Sequence, residues 1–263
     1  MSPIWRLIDS EPGSASYNMA LDEAIAISVR NREAPPTLRL YSWDRPSLSL
    51  GCFQKTADLN LDYCRQSSIP FVRRPTGGRA ILHSNELTYS FSVRTDEEAF
   101  SEGLTASYRS ISSAFNLAFR KTGIHVESKL QRERGRVLTR NPLCFDSSSY
   151  GEILLNNRKI VGAAQKRWKD GLLQQGSLPY TCDREKIGHI FCRRVAHSEN
   201  TLKGLKEILP DFDDQIFKKA VREAFEETFG INLSPAHATP AEHQLAVELE
   251  QRKYLQASWN LRL

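Results

Sequence analysis

Glu152-Ile153-Leu154-Leu155-Asn156-Asn157-Arg158-Lys159-Ile160-Val161-Gly162-Ala163-Ala164-Gln165-Lys166-Arg167-Trp168-Lys169-Asp170-Gly171-Leu172-Leu173-Gln174-Gln175-Gly176-Ser177-Leu178 contains three apolar-rich runs divided by two short reversals. Asn156-Asn157 and Lys169-Asp170-Gly171 are reversal sequences, because Asn, Asp and Gly tolerate the backbone angles of tight turns. Strands are expected over 152–155, 159–168 and 172–178, forming a meander. Hairpin-joined neighbours pair antiparallel, so this stretch argues against a sheet built from parallel crossovers alone.

Upstream, residues 4–8 read as a strand, and Tyr17, Leu21, Ala24, Ile25 and Ser28 recur at helical spacing after the candidate N-cap Ser14. Strands over 37–43 and 47–53 flank the turn Asp44-Arg45-Pro46, and a helix over 57–65 leads to a strand over 70–74. The glycine turn Thr76-Gly77-Gly78-Arg79 and a strand over 87–93 follow. Leu104, Tyr108, Ile111, Phe115 and Ala118 then write a helix that Gly123 stops.

Downstream, Asp213 caps a helix carrying Phe217, Ala220, Val221, Ala224 and Phe225 until Gly230, and a last helix covers 240–255. Strands and helices alternate in blocks rather than singly, which reads as α+β with a mixed β-sheet and surrounding helices. The expected organisation is one catalytic domain over 1–263, with 181–263 as a mainly helical C-terminal portion. A break near Tyr180 is the only boundary the sequence suggests.

The chain has 263 residues, 40% of them hydrophobic and 25% charged, with a mean hydropathy of −0.46. That is enough apolar mass for a core, and it excludes global disorder. Thirty-six Lys and Arg against 31 Asp and Glu give +5, a mild balance that favours acidic partners and falls short of a dedicated nucleic-acid binder. No basic-then-apolar leader and no apolar run of membrane-spanning length is present, so no membrane association and a cytoplasmic location are expected. The five cysteines, Cys52, Cys64, Cys144, Cys182 and Cys192, are odd in number and contain no CxxC pair. Neither a disulfide framework nor a four-thiolate metal site is expected.

Three segments carry chemistry. In Arg73-Arg74-Pro75-Thr76-Gly77-Gly78-Arg79-Ala80-Ile81-Leu82-His83, adjacent glycines let the backbone approach a ligand, and the arginines suit a phosphate or carboxylate. The same residues also suit a hairpin turn with a solvated basic rim. In Leu143-Cys144-Phe145-Asp146, the cysteine follows residues 129–140, which hold five basic residues and one acidic. Cationic neighbours stabilise a thiolate, although a lone cysteine is also often inert core. Cys52 and Cys64 sit in apolar settings and read as inert. In the third segment, Gly162, Ala163 and Ala164 leave space above a strand, as an apolar ligand tunnel needs, with Lys159 just before them. The alternative there is a surface hairpin with Lys159 in water.

Together with Asn18-Met19-Ala20-Leu21-Asp22-Glu23 and Leu173–Ser177, these segments resemble the superfamily of lipoate–protein ligases, octanoyltransferases and biotin ligases. Gly77-Gly78-Arg79 and Cys144-Phe145-Asp146 are most similar to its cysteine-dependent octanoyltransferases. The resemblance implies that Cys144 accepts the acyl group and that Lys159 contacts the acyl carbonyl. It implies substrate binding by Arg73, Thr76, Gly77, Gly78, Arg79 and His83, with Gly162 and Ala163 beside the acyl chain. It also implies octanoyl-acyl carrier protein as donor and a lipoyl domain or glycine cleavage H protein as acceptor, with no metal and no cofactor. Gln175 departs from the pattern, standing where many relatives carry histidine, and Ser147-Ser148-Ser149 replaces a segment that usually contains proline.

An ATP-dependent lipoate–protein ligase would share the fold, but Arg79 in place of a third glycine and Cys144 itself count against it. An amidotransferase between lipoyl domains would use the same cysteine. An RNA-binding module built on Arg132, Arg134 and Arg136 lacks the interleaved aromatics of a stacking platform.

Overall fold

The computed structural model describes residues 2–128, 153–191 and 203–263. Cys144, Cys192, the basic segment 129–140 and Ser147-Ser148-Ser149 lie outside the described residues.

The chain opens with β1 (Ile4–Asp9), α1 (Ala15–Arg30), β2 (Thr37–Tyr41) and β3 (Ser47–Leu50). A 3-10 turn at Thr56–Asp58 precedes α2 (Leu61–Gln66), β4 (Phe71–Arg73), β5 (Ile81–His83), β6 (Glu86–Arg94) and α3 (Leu104–Lys121). Then come β7 (Glu127–Ser128), β8 (Ile153–Leu155), β9 (Arg158–Arg167) and β10 (Gly171–Pro179). The remainder is α4 (Arg184–Ile190), α5 (Leu205–Ile208), α6 (Asp214–Phe229), β11 (Asn232–Pro235), α7 (Pro240–Leu249) and α8 (Ala257–Asn260). A π-helical turn, Glu250–Tyr254, joins the last two helices.

The large sheet runs β11-β1-β2-β6-β10-β9-β8-β7, and the small one runs β4-β3-β5. β1 pairs parallel with both β11 and β2, while β2–β6, β6–β10, β10–β9 and β9–β8 are antiparallel. The sheet is therefore mixed, with the expected meander as β10-β9-β8 towards one edge. Helices cover both of its faces, so β2 and β10 are buried at every position instead of alternating. On one face, Trp5, Phe91, Phe100, Phe115, Phe119, Phe217 and Phe225 pack the sheet against α3 and α6. On the other, α1 contributes Met19, Leu21, Ile25 and Val29 beside Tyr41, Trp43, Val72 and Tyr254.

The helix limits follow the local signals. Ser14 caps α1 by accepting the Tyr17 N–H at 3.2 Å, and Asp213 caps α6 through the Gln215 and Ile216 N–H groups. Thr239 and Glu242 form a capping box at α7 with Pro240 in its first turn.

Several elements differ from the sequence reading. The helix expected over 57–65 is a 3-10 turn and the short α2, capped by Asn60. The helix expected over 240–255 changes to a π turn from Glu250. β5 and β11 were not expected, because runs of three or four residues carry too little periodicity and exist through pairing with β3 and β1. Through β11, the C-terminal portion contributes a strand to the same sheet as the meander.

Candidate active site

A narrow slot lies between the small sheet and the large one. It is lined by Met19 of α1, Tyr41 and Trp43, by Ser49, Arg74, Ile81 and His83 from the small-sheet side, and by Gly162, Ala163, Ala164, Gln175, Gly176 and Ser177 below. Its floor follows from register: Gly162 faces Ser177, Ala163 faces Gly176, and Ala164 faces Gln175 across β9 and β10. Small residues on both strands leave room that larger side chains would fill. Gly176 has no room for a side chain, since a Cβ there would lie 2.1 Å from the Tyr89 ring.

The glycine loop after β4 closes the slot from above. Gly78 has φ +83°, a left-handed angle that favours glycine, and it approaches the backbone of Gly51 so closely that a Cβ on Gly51 would sit 1.8 Å from the Gly78 carbonyl oxygen. Arg74 holds the loop from inside. Its Nη2 donates to the carbonyls of Gly77 at 2.8 Å and Arg79 at 2.7 Å, and its Nη1 donates to Ser49 Oγ at 2.9 Å. Thr76 is buried and donates to Gln175 Oε1 at 2.8 Å. Gln175 Nε2 in turn donates to Asp22 Oδ2 at 2.8 Å.

Asp22 is a buried hub. It accepts from Arg39 at 2.7 Å, Ser90 at 2.7 Å and Tyr41 at 2.8 Å as well as from Gln175. Burial, with the Asp22 carboxylate next, pushes the Tyr41 phenol far above its ordinary pKa, so Tyr41 remains a donor to Asp22. On the opposite wall, His83 stacks on Trp43 with centroids 4.0 Å apart, and its Nδ1 lies 2.7 Å from Glu86 Oε1.

The residues named from sequence divide into groups. His83, Gly162 and Ala163 line the slot, and the loop of Thr76, Gly77, Gly78 and Arg79 meets its lining where Thr76 bonds Gln175 and Gly78 sits beside Ala164. Arg73 lies outside the slot lining. It is fully buried, and its guanidinium donates to the carbonyls of Gly51, Gln54, Trp259 and Asn260 at 2.7–3.2 Å. An arginine with its donors committed to backbone fastens the loop after β3 to α8. Lys159 is buried near the start of β9, three residues before Gly162, and its side chain is engaged.

Sequence reasoning missed Ser49, Arg74 and Glu86 as parts of the site. The signal for Glu86 was its position three residues after His83 on the neighbouring strand. Ser49 carried no signal, because a serine in an alternating strand reads as its solvent face. The reading of Cys64 as inert agrees with a thiol pushed up to about 11 by burial, and burial with Glu207 holds Cys182 up at about 12. Cys52 is less apolar in its surroundings than expected, since Arg262 donates to its Sγ at 2.9 Å.

Residues 14–226 match the family described as Lipoyl protein ligase A/B catalytic domain. The octanoyltransferase LipM of Kyrpidia tusciae is 36% identical to the chain with 98% of each covered, and that of Bacillus subtilis is 33% identical with 97% of each covered. Among solved structures, lipoate-protein ligase A bound with ATP superposes with a TM-score of 0.81 at 24% identity over 99% of both chains. The putative lipoate protein ligase of Thermoplasma acidophilum with bound lipoic acid gives 0.81 at 24% identity over the whole of each chain. The structural likeness establishes the fold, and the family match with near-full-length LipM relatives establishes the lineage. The chain belongs to the lipoyl protein ligase A/B catalytic family, in its LipM octanoyltransferase branch.

Proposed function

We propose that this enzyme moves an octanoyl group from octanoyl-acyl carrier protein onto the acceptor lysine of a lipoyl domain, through a thioester on Cys144. The single observation that carries the reading is the slot floored by Gly162, Ala163 and Gly176 beneath an Arg74-held glycine loop, in a chain of LipM lineage. A narrow apolar slot suits a straight acyl chain better than a nucleotide. As it stands, the slot has about 20 Å³ of open space, so seating a chain requires lining side chains to shift. Met19, unbranched and adaptable, is the side chain best able to yield.

The chemistry is two exchanges. The Cys144 thiolate attacks the donor thioester carbonyl, a new C–S bond forms, and the phosphopantetheine thiolate leaves and takes a proton. The neutral amine of the acceptor lysine then attacks the Cys144 thioester, an amide forms, Cys144 leaves as thiolate, and the amine proton is released. The donor is already activated, so no ATP, metal or other cofactor enters. Lys159, as an ammonium, lowers the pKa of Cys144 and stabilises the developing oxyanion together with loop amides.

The donor carrier, the acceptor domain (with the glycine cleavage H protein among the candidates) and the substrate roles of Thr76, Gly77, Gly78, Arg79, His83, Gly162 and Ala163 all belong to this proposal. The +5 balance favours encounter with acidic partners, chiefly through association rate. A nucleophilic thiol suits a reducing compartment, which makes the cytoplasm the proposed location. Among the described residues, no helix is long and apolar enough to cross a membrane.

The test is transfer from octanoyl-acyl carrier protein to a lipoyl domain by a Cys144→Ala protein, with ATP absent. Transfer is expected to fall to background, and full-rate transfer without the thiol would sink the proposal.

A further inference from the structure

The polar wall of the slot is one chain of hydrogen bonds whose direction is fixed at both ends. Arg74 can only donate, and the Glu86 carboxylate can only accept. Between them, Arg74 Nη1 lies 2.9 Å from Ser49 Oγ, Ser49 Oγ lies 2.7 Å from His83 Nε2, and His83 Nδ1 lies 2.7 Å from Glu86 Oε1. The Glu86 carboxylate accepts from Nδ1, so a neutral His83 leaves Nε2 bare to take the hydroxyl hydrogen of Ser49, whose oxygen accepts from Arg74. His83 then carries its proton on Nδ1 and donates it to Glu86.

The surroundings lock that order. Glu86 also accepts from Ser177 at 2.9 Å and from Thr88, so three donors face its carboxylate. Thr88 accepts the indole N–H of Trp43 at 2.8 Å, and the Trp43 ring lies flat on His83 with an interplanar angle of 13°. Ser49, His83, Glu86, Thr88 and Ser177 are all buried. The chain spans the two sheets, from β6 and β10 of the large one to β3 and β5 of the small one.

Its far end is the glycine loop. Arg74 anchors the carbonyl of Gly77, and a trans peptide points its N–H opposite to its C=O. The N–H of Gly78 is thereby turned away from Arg74. We propose that Glu86 and Ser49 are positioning residues for acyl transfer. Acting through His83 and Arg74, they fix the glycine loop so that its amide is aimed at the acyl carbonyl. This inference rests on the acyl-transfer reading above.

Two measurements test it on the full chain. Nitrogen-15 NMR of the His83 ring is expected to show Nδ1 protonated and Nε2 bare; the opposite tautomer would overturn the inference. Octanoyl loading from octanoyl-acyl carrier protein, followed by intact mass in single turnover, is the second. Loss of an oxyanion donor outright slows an enzyme by about 10²–10³-fold, so a donor left misaimed in Ser49→Ala should slow loading about tenfold or more at saturating donor. Donor KM should stay near wild type, and the loss in loading should persist well below the unfolding midpoint, where the variant is fully folded, a split that a merely structural role would not produce. Glu86→Leu should act the same way; if it fails to fold, Ser49→Ala and the tautomer decide. A folded Ser49→Ala that loads at the wild-type rate, or that loses only KM, overturns the inference alone. A wild type that takes no octanoyl group overturns the acyl-transfer reading and this inference with it.

Discussion

Gly51 illustrates how much a single position carries. It lies outside the sequence motif, yet its missing side chain lets the loop after β3 touch the glycine loop backbone to backbone. Cys52 N–H donates to the Thr76 carbonyl at 2.8 Å beside that contact. Gly51→Ala would force a Cβ into the Gly78 carbonyl, where only backbone movement relieves the clash. Overpacking of this kind costs about 1–3 kcal/mol, so denaturant unfolding should show that loss, and the displaced loop should slow transfer more than the stability change alone. His83 and the small residues of β9 were legible because their types are unusual where they stand. For Arg73, sequence shows a charge but not the backbone carbonyls that the charge faces. Ser49 was illegible because its meaning is a partner more than 30 residues away, whereas Glu86 carried only its spacing from His83.

At the scale of elements, the long strands and helices of the chain were readable, since each carries enough buried residues to show its period. The short pieces were not, because β5 and β11 are defined by their partners. The join between α7 and β1 is a further case. Arg6 donates to both oxygens of Glu242 at 3.0 and 2.6 Å, and the Thr239 N–H adds a third bond at 2.7 Å. Burial alone would raise the pKa of Glu242, but these donors outweigh it and hold the group below its ordinary value of 4.5. A carboxylate depressed in the folded state stabilises the fold above its unfolded pKa, and that contribution is lost as pH falls through the folded pKa. Urea unfolding should therefore show wild-type stability declining from about pH 4.5 downward through this pair. Glu242→Gln should be less stable at pH 7, with the gap narrowing in acid; an equal gap at both pH values would contradict the assignment.

Across the whole molecule, the slot depends on contributions far apart in sequence. Met19 comes from α1, the loop from residues 74–79, the polar wall from β3, β5 and β6, and the floor from β9 and β10. The last helix joins in, since Asn260 Oδ1 accepts the Arg73 N–H at 2.8 Å and Trp259 Nε1 donates to the Arg73 carbonyl at 2.7 Å. The C-terminal portion is thus tied to the loop that roofs the site, a role its helical periodicity did not announce. The α+β class was legible because the meander wrote its own turns, whereas the parallel pairing of β1 with β2 and β11 shows only in the folded sheet.

The central claim is that the enzyme itself carries the acyl group between donor and acceptor. Its most direct measurement is intact mass after incubation with octanoyl-acyl carrier protein alone, without acceptor and without ATP. The account predicts a gain of one octanoyl group on Cys144, removed by hydroxylamine and passed to a lipoyl domain on its addition. An unmodified enzyme that transfers octanoate only when ATP is supplied would contradict it.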